Sequence, residues 1–137
     1  MNIGKIIDAL ENKQNDNILN LTFDKIKNIN SDILTELKLP NKLKNEHLKS
    51  LKHYYFVDEI TNLKHGTYIR WINMLDPEKV LSKGAIFCDI KITDDGTKLV
   101  CKTFLNRYFQ LKMDEYLIFE KLTYQEQIIL EAIHKLL

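Results

Sequence analysis

The chain has 137 residues, 20 of them basic and 19 acidic for a formal net charge of +1, and 45% are hydrophobic. That is one domain's worth of polypeptide with enough apolar content to fold, which excludes a disordered segment and a polybasic or polyacidic tail. Four Gly and two Pro exclude collagen-like and linker sequences, and no apolar run approaches the ~18 residues needed to span a bilayer, so no membrane partner is expected.

In chain order, Ile3, Ile6, Ile7 and Leu10 recur at helical spacing and predict a short amphipathic helix, followed by a break at Asn15-Asp16-Asn17. Phe23, Ile26 and Ile29 suggest a second short helix, and Ser31-Asp32 is placed to cap a third carrying Ile33, Leu34 and Leu37. Pro40 stops that helix by disfavouring helical geometry in the residue before it. Asn41 is then a candidate cap for a fourth helix with Leu43, His47, Leu48 and Leu51 on one side.

From Tyr54 the pattern turns to strands. Tyr54–Val57 and Thr67–Ile72 are dense in aromatic and β-branched residues. Ile86, Cys88, Ile90 and Ile92 alternate with Phe87, Asp89, Lys91 and Thr93, and Asp95-Gly96 is a type I′ hairpin signal. Counting outward from that turn pairs Ile92 with Leu99, Ile90 with Cys101 and Cys88 with Thr103 on a buried side, with Lys91 opposite Val100 and Asp89 opposite Lys102. Tyr108–Leu111 and Tyr116–Phe119 read as further strands. Thr123 with Glu126 has capping-box spacing and opens a C-terminal helix whose apolar face is Ile128, Ile129, Ala132, Ile133, Leu136 and Leu137.

The expected architecture is α+β in one compact unit: a helical region over 1–53, an antiparallel β-domain over 54–122, and a helix over 123–137 packed on it. About five short curved strands would bury their edges best as a small SH3-like or Sm-like barrel, or as a strongly curved sheet.

The lysines carry little functional information. Only Arg70 and Arg107 among the basic residues are arginine, and with 17 Ile and 12 Asn the composition points to A/T-rich coding. Nevertheless Lys38, Lys42, Lys44, Lys49 and Lys52 stand against Glu46 alone, so the 38–52 helix could meet phosphates. The two retained arginines suggest contacts whose planar geometry lysine does not supply, and for Arg70 such a contact is equally satisfied internally by Asp58 or Glu59. Tyr68, Trp71 and the other sheet aromatics could stack bases if exposed, or fill the core.

No histidines fall at i, i+4 metal-ligand spacing, each glycine is isolated, and no serine sits in a nucleophile elbow. No cofactor or metal is therefore expected. Cys88 and Cys101 are expected to be reduced core residues, and Met1-Asn2-Ile3 opens no secretory pattern, which together place the chain in a cytoplasmic compartment.

Leu63–Ile72, with its Gly66-Thr67-Tyr68-Ile69-Arg70-Trp71-Ile72 core, followed by Leu81–Ala85 and the Asp95-Gly96 hairpin, resembles small proteins of nucleocytoplasmic large DNA viruses. In these a Tyr-Ile-Arg-aromatic-Ile strand opens a compact β-domain. The resemblance covers about half of the chain, implies no particular chemistry, and implies a virion or viral-factory setting in the host cytoplasm.

Three functions follow as expectations. The first is a non-enzymatic interaction module with a protein partner or a second copy. The second is a nucleic-acid-binding protein using the 38–52 helix or an aromatic sheet face, and the third is a small enzyme whose residues assemble from distant segments. The candidate binding residues are Tyr68, Arg70, Trp71, Arg107, Lys42, Lys44, Lys49 and Lys52.

Overall fold

The computed structural model describes residues 2–136, so Leu137, expected on the apolar face of the last helix, lies outside the described residues. Asn2 caps α1 (Ile3–Glu11) by accepting the Lys5 N–H at 3.1 Å, and the expected break after it is a 3-10 turn, Lys13–Ile18. Thr22 caps α2 (Phe23–Glu36). The two short helices expected here are one. Ile26, Asn30 and Leu34, spaced by four, are buried along a single face, so the helix has a continuous side to bury through Ser31-Asp32.

Just past the helix end, after the Leu37 cap, Lys38 adopts the left-handed conformation with φ 56°. The chain then turns through Pro40 into α3 (Asn41–Ser50). Pro40 itself occupies the cap position in extended geometry, so Asn41 is the first helical residue rather than its cap.

Six strands follow: β1 (Tyr54–Phe56), β2 (Tyr68–Asn73), β3 (Ala85–Thr93), β4 (Gly96–Lys102), β5 (Tyr108–Lys112) and β6 (Tyr116–Lys121). They form one antiparallel sheet in the order β1-β6-β2-β3-β4-β5. The chain closes with α4 (Tyr124–Leu136), and the capping box is formed as expected. The Thr123 hydroxyl accepts the Glu126 N–H at 3.1 Å, and Glu126 Oε1 accepts the Thr123 N–H at 2.9 Å. The α+β class and the order of its parts are therefore as the sequence predicts.

The β3–β4 register differs from the expected one. Asp94 and Asp95 form the loop, Thr93 pairs with Gly96, Ile90 with Leu99 and Phe87 with Cys101. A type I′ turn needs positive φ at both central residues, and here Gly96 (φ 113°) takes it while Asp95 does not. A β-bulge between Phe87 and Asp89 then exchanges the faces of β3. Beyond it Phe87 and Ala85 point into the core and Ile86 and Cys88 are only half-buried, while Ile92, beside the turn, is 81% exposed. The shifted turn, before the bulge, sets Asp89 opposite Val100 and Lys91 opposite Lys98.

The sheet curls without closing, so the barrel expectation is replaced by its curved-sheet alternative, with six strands in place of about five. The Trp71 ring on β2 lies 5.5 Å from that of Phe109 on β5, although two strands separate them in the sheet. Ile69, Phe87, Leu99, Cys101, Leu111 and Ile118 fill the hollow of the curl. One end is plugged by α1, the 3-10 turn and α4 through Ala9, Ile18, Ile129 and Leu130. On the outside, α2 and α3 set Leu34 and Leu51 against Ile72 and Phe119.

Closure fails at β1. Its outer backbone groups are taken by a side chain: Asn30 Nδ2 donates to the Tyr54 carbonyl at 2.9 Å and Asn30 Oδ1 accepts the Phe56 N–H at 3.0 Å. The amide of α2 thus stands where a seventh strand would. Asn30→Ala leaves both half-buried groups without their side-chain partner, and is expected to cost about 2 kcal/mol, at roughly 1 kcal/mol per group, the low end of the range for unsatisfied groups. Urea unfolding should show a lower midpoint at unchanged slope.

Candidate functional site

A groove of about 630 Å³ lies between α2, α3 and the end of α4. The left-handed Lys38 and the Pro40 turn fold α3 back along α2, which brings Phe23 and Ile26 of α2 to face Leu48 and Leu51. These four make an apolar floor. The rim carries Lys27, Lys49, Lys52 and His53 against Asp24 and Glu131. Among the described residues none of the three rim lysines is in an ion pair, since the pairs present are Lys64–Glu126 and His65–Asp89. The rim is therefore net positive above a greasy floor, a chemistry suited to an apolar segment flanked by acids.

A second constellation is buried. Glu120 projects from the inner face of β6 and Glu126 from the first turn of α4, and both are fully inaccessible. Lys64 bridges them, its ammonium 2.9 Å from Glu126 Oε2 and its backbone N–H 3.2 Å from Glu120 Oε1. The Tyr55 hydroxyl donates to Glu120 Oε2 at 3.0 Å and accepts from Asn17 Nδ2 at 3.3 Å.

Burial raises the Glu120 carboxyl above the ordinary carboxylate range, opposed first by the Lys64 charge and then by the Tyr55 hydrogen bond. Burial likewise raises the Tyr55 hydroxyl, reinforced by the Glu120 and Glu126 charges. Clefts of about 290 and 510 Å³ flank Lys64 and His65, but every buried polar side-chain atom among the described residues already has a partner. The cluster ties β6, the segment before β2, and α4 together, and it presents no free acid or base to either cleft.

The sequence-predicted residues scatter. Lys49 and Lys52 meet on the groove rim, whereas Lys42 is exposed outside it and Lys44 donates to Thr35 Oγ1. Arg70 is internal, as one expectation had it, but its partners are not Asp58 or Glu59. Its Nε donates to the Ser82 carbonyl at 2.8 Å, it reaches the Ser50 carbonyl at 3.4 Å, and it lies over the Tyr54 ring. The planar fork thereby ties β2 to the end of α3 and to the loop before β3.

Trp71 packs inside the curl against Phe109, and Tyr68 donates to the Lys83 carbonyl while its ring covers Gly84. A Cβ at Gly84 would meet that ring at 2.5 Å and the Ile69 carbonyl at 2.6 Å, so glycine is required there. Both aromatics are half-buried, and each is held by a contact within the chain. Arg107 stands alone and exposed at the β4–β5 turn.

Sequence reasoning missed Lys27, His53 and the groove floor, which come together only through the packing of α2 on α3. It also missed Glu120, whose one sequence signal is an acid inside an apolar strand run, Leu117-Ile118-Phe119-Glu120. His65 faces Asp89 at 3.5 Å. Among the described residues no three His, Cys, Asp or Glu side chains come together as a metal site, and no helix is long and apolar enough to cross a membrane.

The fold and groove define an α+β protein with an open, curled antiparallel sheet and one basic-rimmed apolar groove on its helical side. Comparison of the chain with protein-family models, with curated proteins and with solved structures finds no match.

Two outcomes follow from the buried groups. Glu120 ionises less readily in the folded than in the unfolded chain, so its contribution is fully present at low pH and lost as pH rises through its folded value. Glu120→Gln keeps an acceptor for the Lys64 N–H and removes the charge. Its melting temperature should match the parent near pH 4 and exceed it by a widening margin toward pH 8. For the thiols, burial and then the nearby Cys88 push Cys101 up to about 12. A maleimide at pH 7.5 should therefore label Cys88 in the native protein, and Cys101 only after denaturant is added, as read by mass spectrometry.

Proposed function

We propose that this protein is a non-enzymatic interaction module that holds an apolar, acid-flanked segment of a protein partner in the α2–α3 groove. The observation that carries this reading is the groove itself: a floor of Phe23, Ile26, Leu48 and Leu51 under a rim of unpaired lysines. An amphipathic helix or extended peptide would bury its apolar side on that floor while its carboxylates meet Lys27, Lys49 and Lys52. The resemblance of Leu63–Ile72 to giant-virus proteins supports a setting in a viral assembly in the host cytoplasm.

One observation favours a second reading, nucleic-acid binding. Lys91, Lys98 and Lys112 lie directly opposite one another across β3, β4 and β5, an arrangement that costs stability unless an anion offsets it. Asp89, Asp94, Asp95, Asp114 and Glu115 belong to the same strands and their turns, so the positive row does not extend into a continuous backbone track.

Selection from a displayed peptide library should enrich sequences with two or three large apolar residues bordered by Asp or Glu. Leu48→Asp should abolish capture, and Lys49→Glu with Lys52→Glu should shift the enriched flanks from acidic to basic. Enrichment indifferent to both variants would remove the groove reading. Low-salt anisotropy with 20-nucleotide single- and double-stranded DNA and RNA reads the alternative, and binding that Lys98→Glu abolishes would put the second reading first.

A further inference from the structure

The two edges of the sheet are treated differently. The β1 edge is covered by Asn30, while β5 has no strand on its outer side. The β4–β5 turn fixes which β5 groups face outward. Thr103 N–H donates to the Arg107 carbonyl at 2.9 Å, closing a hairpin in which Asn106 takes the left-handed conformation with φ 61°. Ladder alternation then turns the backbone groups of Arg107, Phe109 and Leu111 toward β4 and those of Tyr108, Gln110 and Lys112 away from it. None of these three outward N–H groups is hydrogen-bonded to another described residue.

The same end of the molecule exposes three large apolar side chains. Phe104 and Leu105 at the tip of the turn are 85% and 66% exposed, and Tyr108 at the start of β5 is 67% exposed. At the other end of β5 lies an open cleft of about 430 Å³ whose apolar wall is Val57, Met113, Tyr116 and Ile118. The strand is thus flanked by an exposed apolar tip on one side and an apolar cleft on the other.

We propose that β5 is a self-recognition edge, at which two copies of this chain join antiparallel about a two-fold axis at Gln110. The register is selected by the strand itself. An axis at Gln110 opposes Gln110 to Gln110 of the partner subunit and Tyr108 to Lys112 of the partner subunit, and uses all three outward residues for about six backbone hydrogen bonds. An axis at Lys112 would oppose two lysines, and an axis at Tyr108 would use a single outward pair.

The Gln110 register also ends the Lys91–Lys98–Lys112 row on a tyrosine ring rather than on a further cation. It sets Arg107 beside the Met113–Glu115 turn of the other copy, which carries Asp114 and Glu115. The Phe104–Leu105 tip reaches the end where Met113 and Tyr116 line the cleft. Each half of the contact therefore supplies what the other lacks: an apolar tip for a cleft, and a cation for two acids. This surface lies apart from the α2–α3 groove, so peptide capture and self-association are separable.

Sedimentation velocity of the full chain over a concentration series tests the proposal. A monomer–dimer equilibrium is expected. Gln110→Pro removes the central outward N–H at an edge position that tolerates proline, and should weaken association at least ten-fold. Tyr108→Lys sets two lysines opposite each other and should weaken it similarly, with Lys112→Glu added to it restoring association. Far-ultraviolet circular dichroism and Trp71 fluorescence report whether each variant is folded, and Tyr108→Lys, a surface change, keeps the test decisive if the proline variant unfolds. A parent chain that stays monomeric throughout, or an association that neither folded variant alters, would overturn it.

Discussion

A curled sheet that does not close must dispose of two edges, and the rest of this molecule is arranged around how the first of them is met. The Asn30 amide pairs with the Tyr54 carbonyl and the Phe56 N–H in the manner of one residue of a neighbouring strand. Asn30 makes that contact from the face of α2 that also carries Ile26 and Leu34. With α2 anchored along β1, α3 has one place to return to, and the groove between the two helices follows. The same covering of β1 denies β5 a partner within the chain, so the opening of the barrel and the free edge have one cause.

The second constraint is electrostatic. Two carboxylates fully removed from water are costly, and their retention is explained by position rather than by stability gained. Glu126 serves the α4 capping box with one oxygen and the Lys64 ammonium with the other. Glu120 takes the Lys64 N–H and the Tyr55 hydroxyl. The result locks the rotation of α4 relative to β6 at the plugged end of the curl, where apolar packing by Ala9, Ile18, Ile129 and Leu130 alone would accept several angles. Arg70 does related work on the outer face, where its fork joins carbonyls from the end of α3 and the loop before β3.

Much of this was legible from local signals. The strand runs, the Pro40 turn and the Thr123–Glu126 capping box each rest on a few adjacent residues, and each is found. What failed was set by longer reach. The bulge in β3 leaves alternation intact on both sides of Cys88, so the sequence reads as one unbroken period-two strand whose faces in fact exchange midway. Whether the two-residue loop is Asp95-Gly96 or Asp94-Asp95 depends on which residues accept positive φ, and Asp95 does not take it. The join of α2 across Ser31-Asp32 depends on β1 being there to receive Asn30. At the candidate site Lys49 and Lys52 were readable as a charge excess, while Lys27 and the apolar floor were not, because no local pattern states that Phe23 and Leu48 will face each other.

The two arginines show how far composition carries an argument. In a chain where lysine is the default cation, both stood out, and the structure separates them completely. Arg70 is half-buried and spends two of its five donors on internal carbonyls, a use that needs the planar fork. Arg107 touches nothing comparable and sits on the one sheet edge the fold leaves bare. Exposed apolar residues on either side of it would ordinarily be a liability on such an edge, and the usual protections of a very short strand or a covering element are absent from β5. An unprotected edge flanked by Phe104, Leu105 and Tyr108 is therefore better read as a contact surface than as a tolerated defect. The near-neutral charge suits the same reading, because a chain carrying 20 cations and 19 anions has no long-range repulsion to overcome when two copies meet.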